Sequence, residues 1–374
     1  MLDSLLLILI NIFEGMVDKV RSIHYLRGIA ALLVVAFHLR SNLNNVYAQK
    51  DLGELLFVSG SSGVDLFFII SGFIIALSTK NSSGAGDFAL KRVFRIYPVL
   101  IISLVLFWFV SITPDYFLFL KSVIPLHRDY NLDAPFFGYN VLLPAWTLTY
   151  EIYFYFIFLV SMAFTHRYRV YLCSFLLVAS VCMLQLSFNG NIGLSGKDAA
   201  NITSNGLPLS FVRLMSSPML LEFVFGMILY EFREILKRVP CVNMVLFVCV
   251  AFYICCFFST YRYFYGPLNF GLWALVLVFG LLSYESQHEL KDNRVLNFLG
   301  DISYSLYMTH VIVIHFFRNY WPDAPIYGMG PGVVRVIFVI AISIALSWIV
   351  YNLVEKPFIK LGRRAINIIH LKSF

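Results

Sequence analysis

The chain has 374 residues, of which 60% are apolar and 17% aromatic but only 13% charged, against roughly 25% charged in an ordinary soluble domain. Too few polar side chains remain to cover a water-facing surface, which excludes a soluble enzyme and makes a bilayer the natural solvent. The formal charge of +7 would suggest nucleic acid in a soluble protein; in a membrane protein it points to basic loops on the cytoplasmic side, and no nucleic-acid partner is expected.

The opening run MLDSLLLILINIF has no basic region ahead of its apolar stretch and no small-residue cleavage site after it. About ten apolar residues are also too few to span, so residues 1–20 are expected to form a short interfacial helix. Ten longer apolar runs follow, near 24–42, 62–80, 97–112, 144–164, 169–188, 212–231, 241–259, 266–284, 301–317 and 332–354. They predict an all-α, polytopic integral membrane protein of about ten transmembrane helices around a polar cavity. The whole chain, 1–374, reads as one membrane domain, with helices over 21–357 and a cytoplasmic basic tail over 358–374.

Ten spans place both termini on one side of the membrane. Nineteen of the 28 Lys and Arg residues then fall on that side, which predicts cytoplasmic termini. The loops near 113–143 and 188–211 are the longest on the other side and are candidates for contact with an acceptor. The six cysteines lie in apolar runs without metal-ligand spacing, so free thiols and no metal are expected. No internal repeat is visible, which argues against a repeat-built transporter.

An ionisable side chain in the bilayer core costs about 2.5–3.5 kcal/mol on insertion scales, so each is a functional hypothesis by default. In the first run Arg27 and His38 are eleven positions apart, three turns, and therefore share a face. Arg27 belongs near the inner surface and His38 deep in the membrane. In the second, Asp65 stands seven positions before Gly72 and either caps the helix start or meets a partner such as His38 or an Arg. In KRVFRIYP, Arg92 and Arg95 are i, i+3 neighbours before Pro98. Pro98 can start the third helix, and the guanidinium pair can clamp phosphate or simply anchor the inner surface. Glu151 lies in PAWTLTYEIYFYF between Thr147 and Tyr155 at four-residue steps, as a proton acceptor, a positioning group or a structural hydrogen-bond partner. Ser303, Tyr307 and His310 make a further stripe that either lines a substrate path or ties helices together. Glu355 and Lys356 read as an interfacial pair at a helix end. Five helices presenting polar groups argue for a hydrated interior.

Taken in order, Arg27…His38, GVDLFFIISGF, RVFRIYP, WTLTYEIYFY, ISYSLYMTH and YNLVEKPF resemble the type 3 membrane acyltransferase family over essentially the whole chain. The resemblance implies an acyltransferase of a bacterial inner membrane, usually an O-acetyltransferase. Its donor would be cytoplasmic acetyl-CoA or another acyl-CoA. Its acceptor would be a glycan or lipid-linked sugar such as O-antigen lipopolysaccharide or exopolysaccharide, approached among membrane lipids. Carried over, the family's Arg–His pair falls on Arg27 and His38, its Arg pair on Arg92 and Arg95, and its acidic positions on Asp65 and Glu151. WTLTYE departs from the more usual Ser-Leu after Trp, although Thr147 keeps a hydroxyl.

On this reading His38, Asp65 and Glu151 are catalytic, and Arg27, Arg92 and Arg95 bind the donor. Ser71, Trp146, Tyr150, Tyr307 and His310 line the substrate path. His38 would act as general base or as nucleophile, with Asp65 or Glu151 fixing its imidazole. Three alternatives stand beside this one: a transporter or flippase using the buried charges as a proton or substrate path, an acyltransferase of another class built on His310 and an Asn, and a purely structural or sensory membrane protein, which leaves the Arg pairs and His38 unexplained. Acceptor sugar, acyl length and oligomeric state are not legible in the sequence.

Overall fold

The computed structural model describes residues 20–80, 84–112, 115–202 and 207–372; the expected interfacial helix over 1–20 lies almost wholly outside the described residues. Those residues form an all-helical bundle. Its long helices are α1 (Arg21–Leu39), α2 (Gly63–Ser78), α3 (Ala85–Val110), α4 (Trp146–Phe164), α5 (Arg169–Asn189), α6 (Leu220–Glu231), α7 (Val242–Ser259), α8 (Phe270–Gln287), α9 (Arg294–Asn319), α10 (Val333–Val350) and α11 (Lys356–Lys372). Nine of the described helical stretches are long and apolar enough to cross a membrane. α9 is a further helix of 26 residues, about 39 Å at 1.5 Å per residue. It carries more polar residues because it is sheathed by its neighbours: Ser303, Ser305, Thr309 and His310 are all fully buried.

The bundle core is made by two close helix pairs, and small residues let their backbones approach. A Cβ on Gly28 of α1 would lie 2.7 Å from Leu299 Cβ of α9. A Cβ on Gly226 of α6 would lie 1.9 Å from the Ile69 carbonyl oxygen of α2, and one on Gly72 would lie 2.1 Å from the Phe223 carbonyl oxygen. Backbone on both sides leaves nothing able to give way. Gly226→Leu should therefore push α6 off α2; a drop in thermal midpoint of the detergent-solubilised protein by several degrees is expected, and an unchanged midpoint would contradict the packing.

Several boundaries differ from the sequence expectation: α9 begins at Arg294 and not near 301, and α6 at Leu220 and not near 212; two further differences bear on the site. α3 begins at Ala85 and runs through Pro98, so Pro98 sits inside the helix instead of opening it, and Arg92 and Arg95 are helical residues. Proline removes one intrahelical bond there, but the turn before it is held by two neighbouring helices. Tyr304 Oη donates to the Ile96 carbonyl at 2.9 Å, and Gly362 of α11 abuts Phe94. At the other end of the chain the basic tail is not a loose extension. α10 passes through a wide i→i+5 turn, Tyr351–Glu355, and continues as α11, which packs on α3. His370 meets Asp87 at 2.8 Å.

Candidate active site

Three cavities succeed one another along the bundle. At the end where α1 begins lies an open mouth of about 550 Å³ whose floor holds Arg27 and Arg95. The same two arginines, with Ile74, also line a smaller inner chamber of about 80 Å³ together with Arg92, Ser71, Glu151, Tyr155 and Tyr304. Val64 and Tyr307 are shared in turn between that chamber and an outer one of about 130 Å³, which His38 lines. Eleven residues of helix separate Arg27 from His38, roughly 16 Å of axis, so α1 forms one wall of the whole series.

The inner chamber concentrates charge. Arg92 packs beside the edge-to-face pair Phe88 and Tyr155, its guanidinium carbon 5.5 and 5.6 Å from the two ring centres, and its buried Nε has no partner. Glu151 accepts from Ser71 Oγ at 3.0 Å and from the Tyr155 hydroxyl. Glu355, only 3% exposed, accepts from Ser305 Oγ at 2.6 Å and lines the mouth beside Arg27 and Arg95. Three guanidinium groups face two carboxylates, so cationic charge is left to meet an anion. Planar guanidinium donors recognise phosphate oxygens in a bidentate manner.

The outer chamber has a different character. Its walls are Phe37, Val34, Trp146, Phe136, Tyr139 and the turn Tyr263–Tyr265, with His38 projecting among them. The His310 ring lies 5.2 Å from that of His38. His310 Nδ1 donates to the Leu306 carbonyl at 3.1 Å, which leaves Nε2 as a bare acceptor, buried and without a partner. Between the two chambers, the Tyr307 hydroxyl donates to the Pro144 carbonyl at 3.2 Å and meets Thr147 Oγ1 at 3.1 Å.

The expected carboxylate behind His38 is not there. Among the described residues no Asp or Glu hydrogen-bonds His38; the ring beside it is that of His310. Asp65 is fully buried and accepts from the Gly266 backbone N–H at 3.1 Å. It is thus an anchor for the 263–266 turn that roofs the outer chamber. Gly266 has φ +123°, and a Cβ there would sit 2.6 Å from Gly196 N, so this turn accepts only glycine. Glu151 belongs to the arginine chamber and not to His38. Tyr150 also departs from its expected place on the substrate path: it is fully buried, and its hydroxyl donates to the Pro135 carbonyl at 2.8 Å. Ser71, Trp146 and Tyr307 do line the cavities. Glu355 is a buried member of the site and not an interfacial residue, because the wide turn at 351–355 rotates it inward.

Three residues that sequence reasoning passed over also matter. Glu222 of α6 is fully buried against the Asp65 carboxyl, and it closes on Gly271, where a Cβ would lie 2.9 Å from its Oε1. An acid inside the run LLEFVFG was a signal of the same kind as Glu151. Arg169 holds the α2 end through Thr79 Oγ1 at 2.9 Å and the Ala76 carbonyl at 3.2 Å. His127, in the loop before α4, is buried among Tyr130, Phe137 and Tyr150. Burial pushes its imidazole down from 6.5 to about 3.

The unfolded chain therefore takes up a proton at His127 below pH 6.5 and the folded chain does not until about pH 3. Stability from this group is present above 6.5 and is lost as pH falls through that window. The thermal midpoint should fall between pH 7 and 5, and His127→Phe should flatten part of that slope; equal slopes in the two proteins would refute the assignment.

Comparisons with known proteins bear on what this arrangement does. The profile of a family described as an acyltransferase domain matches residues 20–352. The exopolysaccharide production protein ExoZ of Rhizobium meliloti (strain 1021) is 29% identical over 318 residues, covering 82% of this chain and 92% of that protein. The acyltransferase MdmB of Streptomyces mycarofaciens is 26% identical over 238 residues, 57% of each chain. No solved structure matches.

Proposed function

Because the chain belongs to the type 3 acyltransferase family, we propose that it moves an acyl group, acetyl in the first instance, from acyl-CoA at the Arg27 end to a glycan hydroxyl at the His38 end. It is a multi-pass membrane acyltransferase acting on groups other than aminoacyl. The donor, the O-acetyl product and the glycan or lipid-linked sugar acceptor are the parts we infer. A glycan acceptor is supported by the likeness to an exopolysaccharide production protein. Placement in an inner membrane with both termini cytoplasmic is supported by the distribution of Lys and Arg.

The observation that carries the reading is the succession of cavities sharing lining residues, cationic at one end and holding an imidazole at the other. Phosphates of the donor would rest on Arg27, Arg92 and Arg95. The pantetheine arm would run along the apolar wall of the inner chamber, Phe67, Phe68 and Ile70, and the thioester would come up past Tyr307 to His38. There the acceptor hydroxyl loses its proton to His38 as its oxygen attacks the thioester carbonyl. The ester C–O bond forms, the C–S bond breaks, and the proton passes to the departing thiolate. His310, whose ring lies 5.2 Å from that of His38, would orient the His38 ring. Thr147 and Tyr307 hold the constriction in shape.

The test is to incubate the purified protein with acetyl-CoA and surface glycan while following free thiol release and glycan mass. Glycan-dependent thiol release with a matching acetyl increment is expected. Glycan modified without loss of acetyl-CoA would sink the donor assignment.

A further inference from the structure

α11 lies beyond the stretch that matches the family, which ends at residue 352, and it forms a wall of the mouth. Lys356, Lys360 and Arg363 of this helix all line the cavity. Their i, i+4, i+7 spacing puts them on one helical face. With Arg27 and Arg95 on the floor they bring five cations to one opening, against the two carboxylates Asp301 and Glu355. Lys360 and Arg363 are exposed, so neither is consumed in holding the fold. The helix itself is fixed: Gly362 is pressed on Phe94 and His370 on Asp87. A basic face on a helix end can also serve only to anchor at anionic lipid. Here the three side chains line a cavity that continues, through Arg27 and Arg95, into the inner chamber.

From this we infer that α11 is part of the donor site, and that Lys360 and Arg363 bind the phosphates at the nucleotide end of CoA. This deepens the acyl-CoA reading and rests on it. In that arrangement the deep arginines take the inner phosphates. α11 takes the outermost, so that the nucleotide is gripped at the rim and the acyl arm is directed inward. The chemistry that recognises it is phosphate on a nucleotide, which a lipid headgroup shares only in part.

The experiment is equilibrium binding of CoA, 3′-dephospho-CoA and pantetheine to the full-length protein in nanodiscs, prepared with and without phosphatidylglycerol. Wild type is compared with Lys360→Glu/Arg363→Glu and with Lys91→Glu, an exposed cation of α3 that does not line the mouth. The double variant should bind CoA at least about tenfold more weakly, the factor expected for one lost charge-assisted contact. Its affinity for pantetheine should not change, and Lys91→Glu should match wild type. CoA binding by the double variant equal to wild type would overturn the inference while leaving the donor reading intact. So would a loss of CoA binding seen only with phosphatidylglycerol present, since that assigns α11 to lipid. Failure of the wild-type protein itself to bind CoA would remove the donor reading, and this inference with it.

Discussion

His38→Ala is expected to lower acyl transfer by about 10²–10⁴-fold, the range of a positioned general base, with CoA binding retained. The two effects separate because His38 lines the outer chamber, whereas Arg27, Arg92 and Arg95 line the inner chamber and mouth. Steady-state transfer rates alongside equilibrium CoA binding read both at once. His310→Ala should cost less, since its Nδ1 is committed to the Leu306 carbonyl and its influence reaches substrate through the neighbouring ring. If His310→Ala proved the more damaging of the two, the catalytic imidazole would have to be reassigned to α9, as in an acyltransferase built on that helix.

Arg27→Met is expected to have the second large effect, on donor binding and on folding together. Arg27 lines both the mouth and the inner chamber, in company with Glu355 and Glu151. Arg27→Met takes a cation from beside the buried Glu355; breaking a buried ionic pair costs about 3–5 kcal/mol, and part of that is offset because Arg95 remains in the same cavity. The CoA dissociation constant should rise by at least an order of magnitude, and the thermal midpoint should fall. The double variant Arg27→Met/Glu355→Gln separates the two contributions: stability should be partly restored, while CoA affinity should not. Recovery of CoA binding in the double variant would show that Arg27 serves only to neutralise Glu355.

The bundle was legible in the sequence because apolar runs of about twenty residues have few alternatives in a bilayer. The arginine chamber was legible for a related reason. Charges inside such runs are few, and Arg27, Arg92, Arg95 and Glu151 do converge. The errors come from contacts between distant segments. Asp65 finds the Gly266 N–H, 201 positions away, and no periodicity in α2 announces that partner. Glu355 turns inward through a local change of helical pitch that composition does not encode. Pro98 stays inside α3 with Tyr304 of α9 and Gly362 of α11 holding the turn before it at Ile96 and Phe94, a tertiary arrangement overriding a local preference. Tyr150, expected on the substrate path, has its hydroxyl claimed by the Pro135 carbonyl of a loop.

The passage itself is tested most directly by sidedness. With the protein oriented in proteoliposomes, acetyl-CoA is supplied only at the face bearing α11 and glycan only at the opposite face. Labelled acetyl should appear on the glycan across the bilayer while CoA thiol accumulates where the donor was added. Labelling that requires both substrates on the same side, or glycan crossing the membrane with no thiol released, would contradict the account.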